Sequence, residues 1–533
     1  MKNRQLAVLS EAEQCALYDL PDFDDGQRLD YLALSESELQ LVCSRSGLHA
    51  QVFCALQLGY FKAKHAFFRF TWDDAQDDCA FVLTRYFNGQ AFQPHTISKR
   101  EHYTQRDLIA DLFGYRVWSA EFLPQLTQQV THIVRRDVTA GFIVAELVAY
   151  LNEHKIVRPG YTTLQELIGE ALSAERGRLG SLLAEMLDGT AKEALAKLLV
   201  HENTLSDLAA LKQDARDFGW RQMVREREKR AKLEALYQIA KALLPKLAIS
   251  QQNLRYYASL ANFYTVYDLR RLKSEQTHLY LLCYAWQRYR QLTDNLVEAL
   301  GYHMKQIEDE TKKRANEAFA EQLLQRKPGT PQIGQLLLLY VDDSLADATP
   351  FGDVRQQAFT IMPKDELQIA GQRWSVKPTS QLALRWQMVD GLAERVRRHL
   401  RPLYGALGFS SIAVNDPWLA GLAWVKSVFA KQQRLSQRPL TECPEATLPK
   451  RLRPYLLRFD ADGEPVGVHA DRYEFWLYRR LRSASSRAKF TWMIACSTVA
   501  SPTSWCPLTR RPIFSARWTS AGYASPSISN SMY

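Results

Sequence analysis

SESELQLVCSRSGLHAQVFCALQLGYFK, running from Ser35 to Lys62, sets one helix against another across a glycine. Ser35 and Glu38 have the Ser-x-x-Glu spacing in which the hydroxyl accepts from the third helical amide and the carboxylate reaches back to the cap amide. A helix therefore opens at Ser35 and ends near Ser46 and Gly47, where glycine enters the left-handed conformation without cost. A second helix is expected from Leu48 to about Lys62, with Val52, Leu56 and Tyr60 on one side. Helix, glycine turn and helix is the outline of a helix-turn-helix unit, and equally that of two packed helices in any small helical domain.

Working outward, Ser10 and Glu13 repeat the capping pattern. The two-helix outline returns between Thr139 and Ala174. There Phe142, Val144, Leu147, Val148 and Leu151 make an apolar face, Lys155 to Gly160 form a basic turn carrying Arg158, and Thr163 with Glu166 is expected to cap the next helix. Long helical structure is expected from Leu279 to Leu324, stopped by Arg326-Lys327-Pro328-Gly329. The fold class that follows is mainly α, a chain of several helical modules.

Basic and aromatic residues recur along these helices. Lys99, Arg100 and Arg106 cluster with His102, Tyr103, Tyr115, Arg116 and Trp118, a mixture suited to phosphate contact and ring stacking. From Lys212 to Lys232 eight Lys or Arg stand against four acids. Arg221, Arg225, Lys229 and Lys232 form a helical stripe there. Between Ser250 and Arg290, Arg255, Arg270, Arg271, Arg288 and Arg290 interleave with Tyr256, Tyr257, Tyr264, Tyr267, Tyr284 and Tyr289. Arginine bridges phosphates or reads guanine edges while tyrosine covers sugar and stacks. The same segment carries Leu254, Leu260, Leu269, Leu272, Leu279, Leu282 and Trp286, so part of it is core. A late cluster, Arg395, Arg397, Arg398, His399 and Arg401, fits either a DNA contact or a solvated helix face.

A net charge of +10 over 533 residues, with a pI near 9.0, agrees with a polyanionic partner without requiring one. Cys15, Cys43, Cys54, Cys79, Cys283 and Cys443 show no metal spacing and are expected as free thiols of a reducing compartment. No window holds eighteen apolar residues, so a cytoplasmic, nucleoid-associated protein without a membrane partner is expected. Phosphate-loop, nucleophile-elbow and His-Glu-x-x-His patterns do not occur. Asp342, Asp343, Asp347 and Asp353 read as caps and turns, and Asp460 with Asp462 and Gly463 as a hairpin turn, instead of cation ligands.

Three stretches, in this order, resemble the Tn3-family transposases: Phe53 to Phe61 (FCALQLGYF), Tyr340 to Ser344 with Pro350 to Arg355 (YVDDS and PFGDVR), and Asp471 to Arg479 (DRYEFWLYR). The resemblance covers roughly residues 5 to 482. It implies an N-terminal helical DNA-binding domain of DUF4158 type over 1–165, a second helical DNA-binding and dimerisation region over 166–330, and a linker or scaffold over 331–482. The implied partner is double-stranded DNA at the terminal inverted repeats of a transposon, bound by a homodimer or by a heterodimer with a full-length transposase. The family cuts and joins DNA with an Asp/Asp/Glu site and magnesium beyond the third stretch. None of those acids maps onto a residue here, so no catalytic residue, metal ligand or cofactor is assigned to this chain.

Phe475 to Tyr533 contains no Asp or Glu, where composition predicts about six. From 483 to 533 it turns Ser-, Thr- and Pro-rich without hydrophobic period, which is expected of a frameshifted, disordered and non-native tail. An end-binding remnant without the nuclease core is the resulting expectation. An autonomous DNA-binding regulator or inhibitor of transposition, and a helical scaffold meeting protein partners, are its rivals.

Overall fold

The computed structural model describes residues 8–202, 205–327, 329–411, 417–485 and 490–492. The structure is 73% helical and, among the described residues, strands occur only in two-stranded pairs, which establishes the mainly α class. The expected frameshifted tail lies almost wholly outside the described residues. Within it the helix Ala470–Ser485 ends, and Phe490–Trp492 pairs antiparallel with Phe409–Ser411. The chain forms two compact units.

The first unit comprises the chain up to Lys212 together with Ala235–Gln287. Both expected capping boxes are present: Ser10 and Glu13 open Glu11–Tyr18, and Ser35 and Glu38 open Glu36–Cys43. Gly47 takes φ 86° and leads into Leu48–Lys64. That helix is buried around its whole girth from Val52 to Phe61, and a shell formed by Leu32, Val42, Ala75, Val82 and Ile109 encloses it. Further along, Leu123–Arg136 packs on the 26-residue helix Tyr161–Met186. The latter starts from extended backbone at Gly160 with no side-chain cap, so Thr163 lies inside the helix and does not cap it as expected. Pro159 and Gly160 already set the entry, and helical geometry begins three residues earlier than the Thr163 pattern implied. The boundary anticipated at residue 165 falls within this helix.

The second unit comprises Gln213–Glu234 and the described residues from Arg288 to Trp492. Its core gathers Leu296, Ile307, Trp386, Val396, Leu400, Tyr404, Val425, Tyr473, Phe475 and Tyr478. The third family-like stretch therefore supplies core residues: Tyr473, Phe475, Leu477 and Tyr478 are all buried on Ala470–Ser485. The long helix expected from Leu279 extends over Ser274–Leu324. Asp460 accepts the Glu464 amide at 2.7 Å in a hairpin turn with Gly463 at φ 83°, as its sequence indicated.

Candidate nucleic-acid interface

The opening two-helix outline does not present a recognition helix. A helix that enters a major groove must keep one face in solvent, whereas Leu48–Lys64 has no such face through its middle. Gly59 is required there by contact, because a Cβ at this position would lie 2.3 Å from Leu32 Cδ2 and 3.3 Å from the Tyr31 carbonyl. The motif FCALQLGYF is thus a packing signature.

Lys99–Phe113 does face outward. Ser98 caps it through the Glu101 amide at 3.1 Å, and buried Gln105 donates to the Ala50 carbonyl at 3.0 Å, fixing the helix on the core. Lys99 and Arg100 are exposed in its first turn and make no ion pair among the described residues. Arg106 lies 4.9 Å from the Tyr103 ring centroid but is also held by Asp107 at 2.8 Å. His102 turns inward against Phe53, and its imidazole pKa is lowered by burial.

The basic turn after residue 154 has a structural task. Lys155 donates to the Phe113 carbonyl at 3.2 Å. Arg158 donates to the carbonyls of Leu17 at 2.8 Å and Lys64 at 2.9 Å. All three carbonyls belong to the last turns of helices, where partial negative charge and unpaired acceptors call for a cation. Arg158 is therefore an internal clamp, contrary to its assignment as a DNA contact.

The strongest outward array is the corner made by Gln251–Phe263 and Val266–Arg271. Asn253, fully buried, positions it: its amide donates to the Val134 carbonyl at 2.8 Å and accepts from the Val138 amide at 2.8 Å. On the opposite face Arg255, Tyr256 and Phe263 are exposed, Phe263 by 68%. Around the turn Tyr267, also 68% exposed, lies 5.5 Å from the Arg271 guanidinium. Arg270 gives one amino group to the Leu199 carbonyl while remaining exposed. Asp268 sits among these cations but is committed to Thr265, whose hydroxyl and amide bonds hold its carboxyl below the usual range. Sequence reasoning missed Phe263, although it stands seven residues after Tyr256 on the same helical face.

Of the stripe on Trp220–Leu243, Arg221 and Arg225 are exposed, whereas Lys229 is bonded to Glu226 at 3.0 Å and to the Gln213 carbonyl at 2.6 Å. Arg288 is a clear correction: it is only 5% exposed and donates to Asp214 at 2.6 Å and the Gln213 carbonyl at 2.8 Å. Arg290 is half-buried and engaged. Of the late cluster, Arg395 and Arg401 are internal wiring, whereas Arg397 and Arg398 stay exposed. Arg395 bonds Glu310 at 2.5 Å, Arg401 chelates the buried Glu474 at 3.0 and 2.7 Å, and Arg397 lies 3.7 Å from Asp471.

Asp342 accepts the Ser344 amide at 3.0 Å in a turn, and among the described residues no three His, Cys, Asp or Glu side chains converge as metal ligands. The six described cysteines are free thiols. Among the described residues no helix is long and apolar enough to cross a membrane.

Residues 8–171 match a family model described as a domain of unknown function, DUF4158. The chain is also 23% identical over 487 residues to the transposase for transposon gamma-delta of Escherichia coli (strain K12), covering 87% of this chain and 45% of that protein. It thus spans a little under half the length of that relative. The matched domain and a likeness running through most of the sequence support the resemblance to Tn3-family transposases carried by the three motifs.

Proposed function

We propose that the chain binds duplex DNA at the terminal inverted repeats of a transposon, with the Gln251–Arg271 corner as its principal contact. The observation that carries this reading is the exposed alternation of Arg255, Tyr256, Phe263, Tyr267, Arg270 and Arg271 on a buried asparagine anchor. Two aromatic rings two-thirds exposed beside three arginines make a mixed apolar and cationic patch of the kind that interaction surfaces use. Phosphates answer the guanidinium groups, sugar and base edges answer the rings, and the aromatic-stacked Arg271 is pre-oriented for either. Lys99, Arg100, Arg221 and Arg225 supply further phosphate contacts. The site acts in the cytoplasm on nucleoid DNA and needs no metal to bind. Cleavage is not part of the proposal, because no residue here matches the family's acids.

Fluorescence anisotropy with the full chain tests it, using a duplex carrying the host transposon's terminal repeat against a scrambled duplex at two salt concentrations. Tighter repeat binding that weakens with salt supports the proposal. Absent binding to both duplexes refutes it. A second reading, a scaffold that meets a second copy or a full-length transposase, is favoured by Leu337, Leu338, Tyr340, Val341 and Phe351, each at least 65% exposed near Thr330–Leu339. A concentration-dependent mass in sedimentation, abolished by Leu338→Glu, would support that one.

A further inference from the structure

The second unit contains an open groove of about 580 Å³ between the end of Ser274–Leu324 and the segment following Lys364–Ser375. Its charged lining is wholly basic: Arg326, Arg373 and Lys377, with Gln322, Gln325 and Thr379 beside them. Two bonds shape it. The Thr379 amide donates to Gln322 Oε1 at 3.1 Å, and Arg326 donates to the Val376 carbonyl. Arg373 and Lys377 are exposed, and none of the three cations makes an ion pair among the described residues.

That pattern departs from the arginine clusters that build the unit's interior. Glu308 is shared by Arg385, Arg479 and Arg482; Glu310 holds Arg395; Asp390 holds Arg472; and Glu474 holds Arg401. Where this unit gathers arginines for structure, it supplies a carboxylate. At the groove it supplies two glutamine amides instead, which donate to an anion as readily as a carboxylate would have neutralised the cations. The last carbonyls of Ser274–Leu324 offset about half a unit charge, so about two and a half positive charges remain unanswered. A groove of this size exceeds the roughly 300 Å³ at which small-ligand sites begin.

We infer that this groove is a phosphate-binding subsite in the scaffold part of the chain, and that its ligand is the DNA backbone. The inference rests on the proposed DNA-binding function and adds to it a contact far along the sequence from the Gln251–Arg271 corner. The contact is to phosphodiester oxygens, so it strengthens binding to any sequence alike and carries no base preference. Sequence reasoning passed over it because Arg326 reads as a helix stop, and Arg373 and Lys377 are isolated cations in their own segments.

The test is R373Q/K377Q in the full chain, with thermal unfolding to show that these two exposed substitutions leave the fold intact. Each phosphate contact contributes roughly 0.9 to the slope of log K against log salt. The double variant should therefore bind repeat and scrambled duplexes equally more weakly, with a slope shallower by about two. An unchanged slope in a chain that binds DNA overturns the inference. A second arm uses inorganic phosphate, followed by phosphorus NMR line broadening. If the wild type binds no duplex, the proposed function fails, and the groove is then judged by phosphate alone: saturable broadening by wild type and not by the variant keeps the anion subsite, while equal broadening removes it. Phosphate binding with an unchanged DNA slope assigns the groove to free phosphate and overturns the DNA ligand.

Discussion

At single positions, the side chains that most resemble DNA contacts in the sequence divide into those facing solvent and those closing the fold. Arg158 is the clearest of the second kind, since it bonds two helix-terminal carbonyls that would otherwise lack partners. Arg158→Ala should destabilise the first unit by about 2 kcal/mol in urea unfolding, since charged hydrogen bonds contribute that order. The salt slope of DNA binding should not change, which is the outcome that separates clamp from contact. Arg401→Ala strands the Glu474 carboxylate, which is buried and shared with the Tyr478 hydroxyl at 2.8 Å. Breaking such a pair costs about 3 kcal/mol or more, reduced somewhat here because Arg401 is partly exposed. Glu474→Gln, which keeps one acceptor, should cost less in the same measurement. None of this was legible from spacing. An arginine at helical periodicity looks the same whether its acid is one turn away or, as for Arg401, 73 residues on.

At the level of helices and turns, caps and breaks were legible and direction was not. Ser10, Ser35 and Gly47 behaved as local chemistry dictates, because the groups that decide them lie within four residues. The outward face of Gln251–Phe263 depends on Asn253 meeting carbonyls more than a hundred residues earlier. Asn253→Ala should therefore leave buried backbone groups unpaired at a cost of about 2–3 kcal/mol, and weaken repeat binding although the residue touches no DNA. The π-helical turn Val396–Leu400 holds a pH-sensitive contact. His399 stacks on Trp220 at 5.7 Å and meets His303 edge-on at 5.4 Å, while His303 bonds the Phe218 carbonyl at 2.8 Å. Burial lowers both imidazole pKa values below 6.5; Arg395 lowers both further, and for His399 its neighbours His303 and Arg398 add to this, while the Phe218 bond partly opposes it for His303. Because the unfolded chain takes up protons first, stability should be full above about pH 6.5 and fall as pH drops towards the lowered folded values. Urea midpoints followed from about pH 7.5 to 5 should show this decline, and His399→Asn should flatten it.

For the molecule as a whole, the mainly helical class and the order of the three family-like stretches were legible, and their chemical meaning was not. FCALQLGYF and DRYEFWLYR both turn out to be core. The second stretch differs, since Tyr340, Val341 and Phe351 are exposed, so recognisability in the sequence does not distinguish core from surface. The surviving surface candidates, Lys99, Arg100, Arg221, Arg225 and the Gln251–Arg271 corner, predict that charge-neutral substitution of any one cation lowers repeat affinity modestly, about tenfold at most, and shallows the salt slope by about one. The junction at Glu308 has a different kind of consequence. Arg482 reaches Glu308 at 2.6 Å across 174 positions of sequence, and Arg479 meets the same carboxylate at 2.9 Å. A ribosome adding 5–20 residues each second needs on the order of ten to thirty seconds to cover that interval. For that time the nascent second unit holds an acid that has met at most Arg385 of its three arginines and an apolar helix flank without its full cover, so its synthesis has a built-in waiting period in which a chaperone, or a second nascent chain on the same message, has first access.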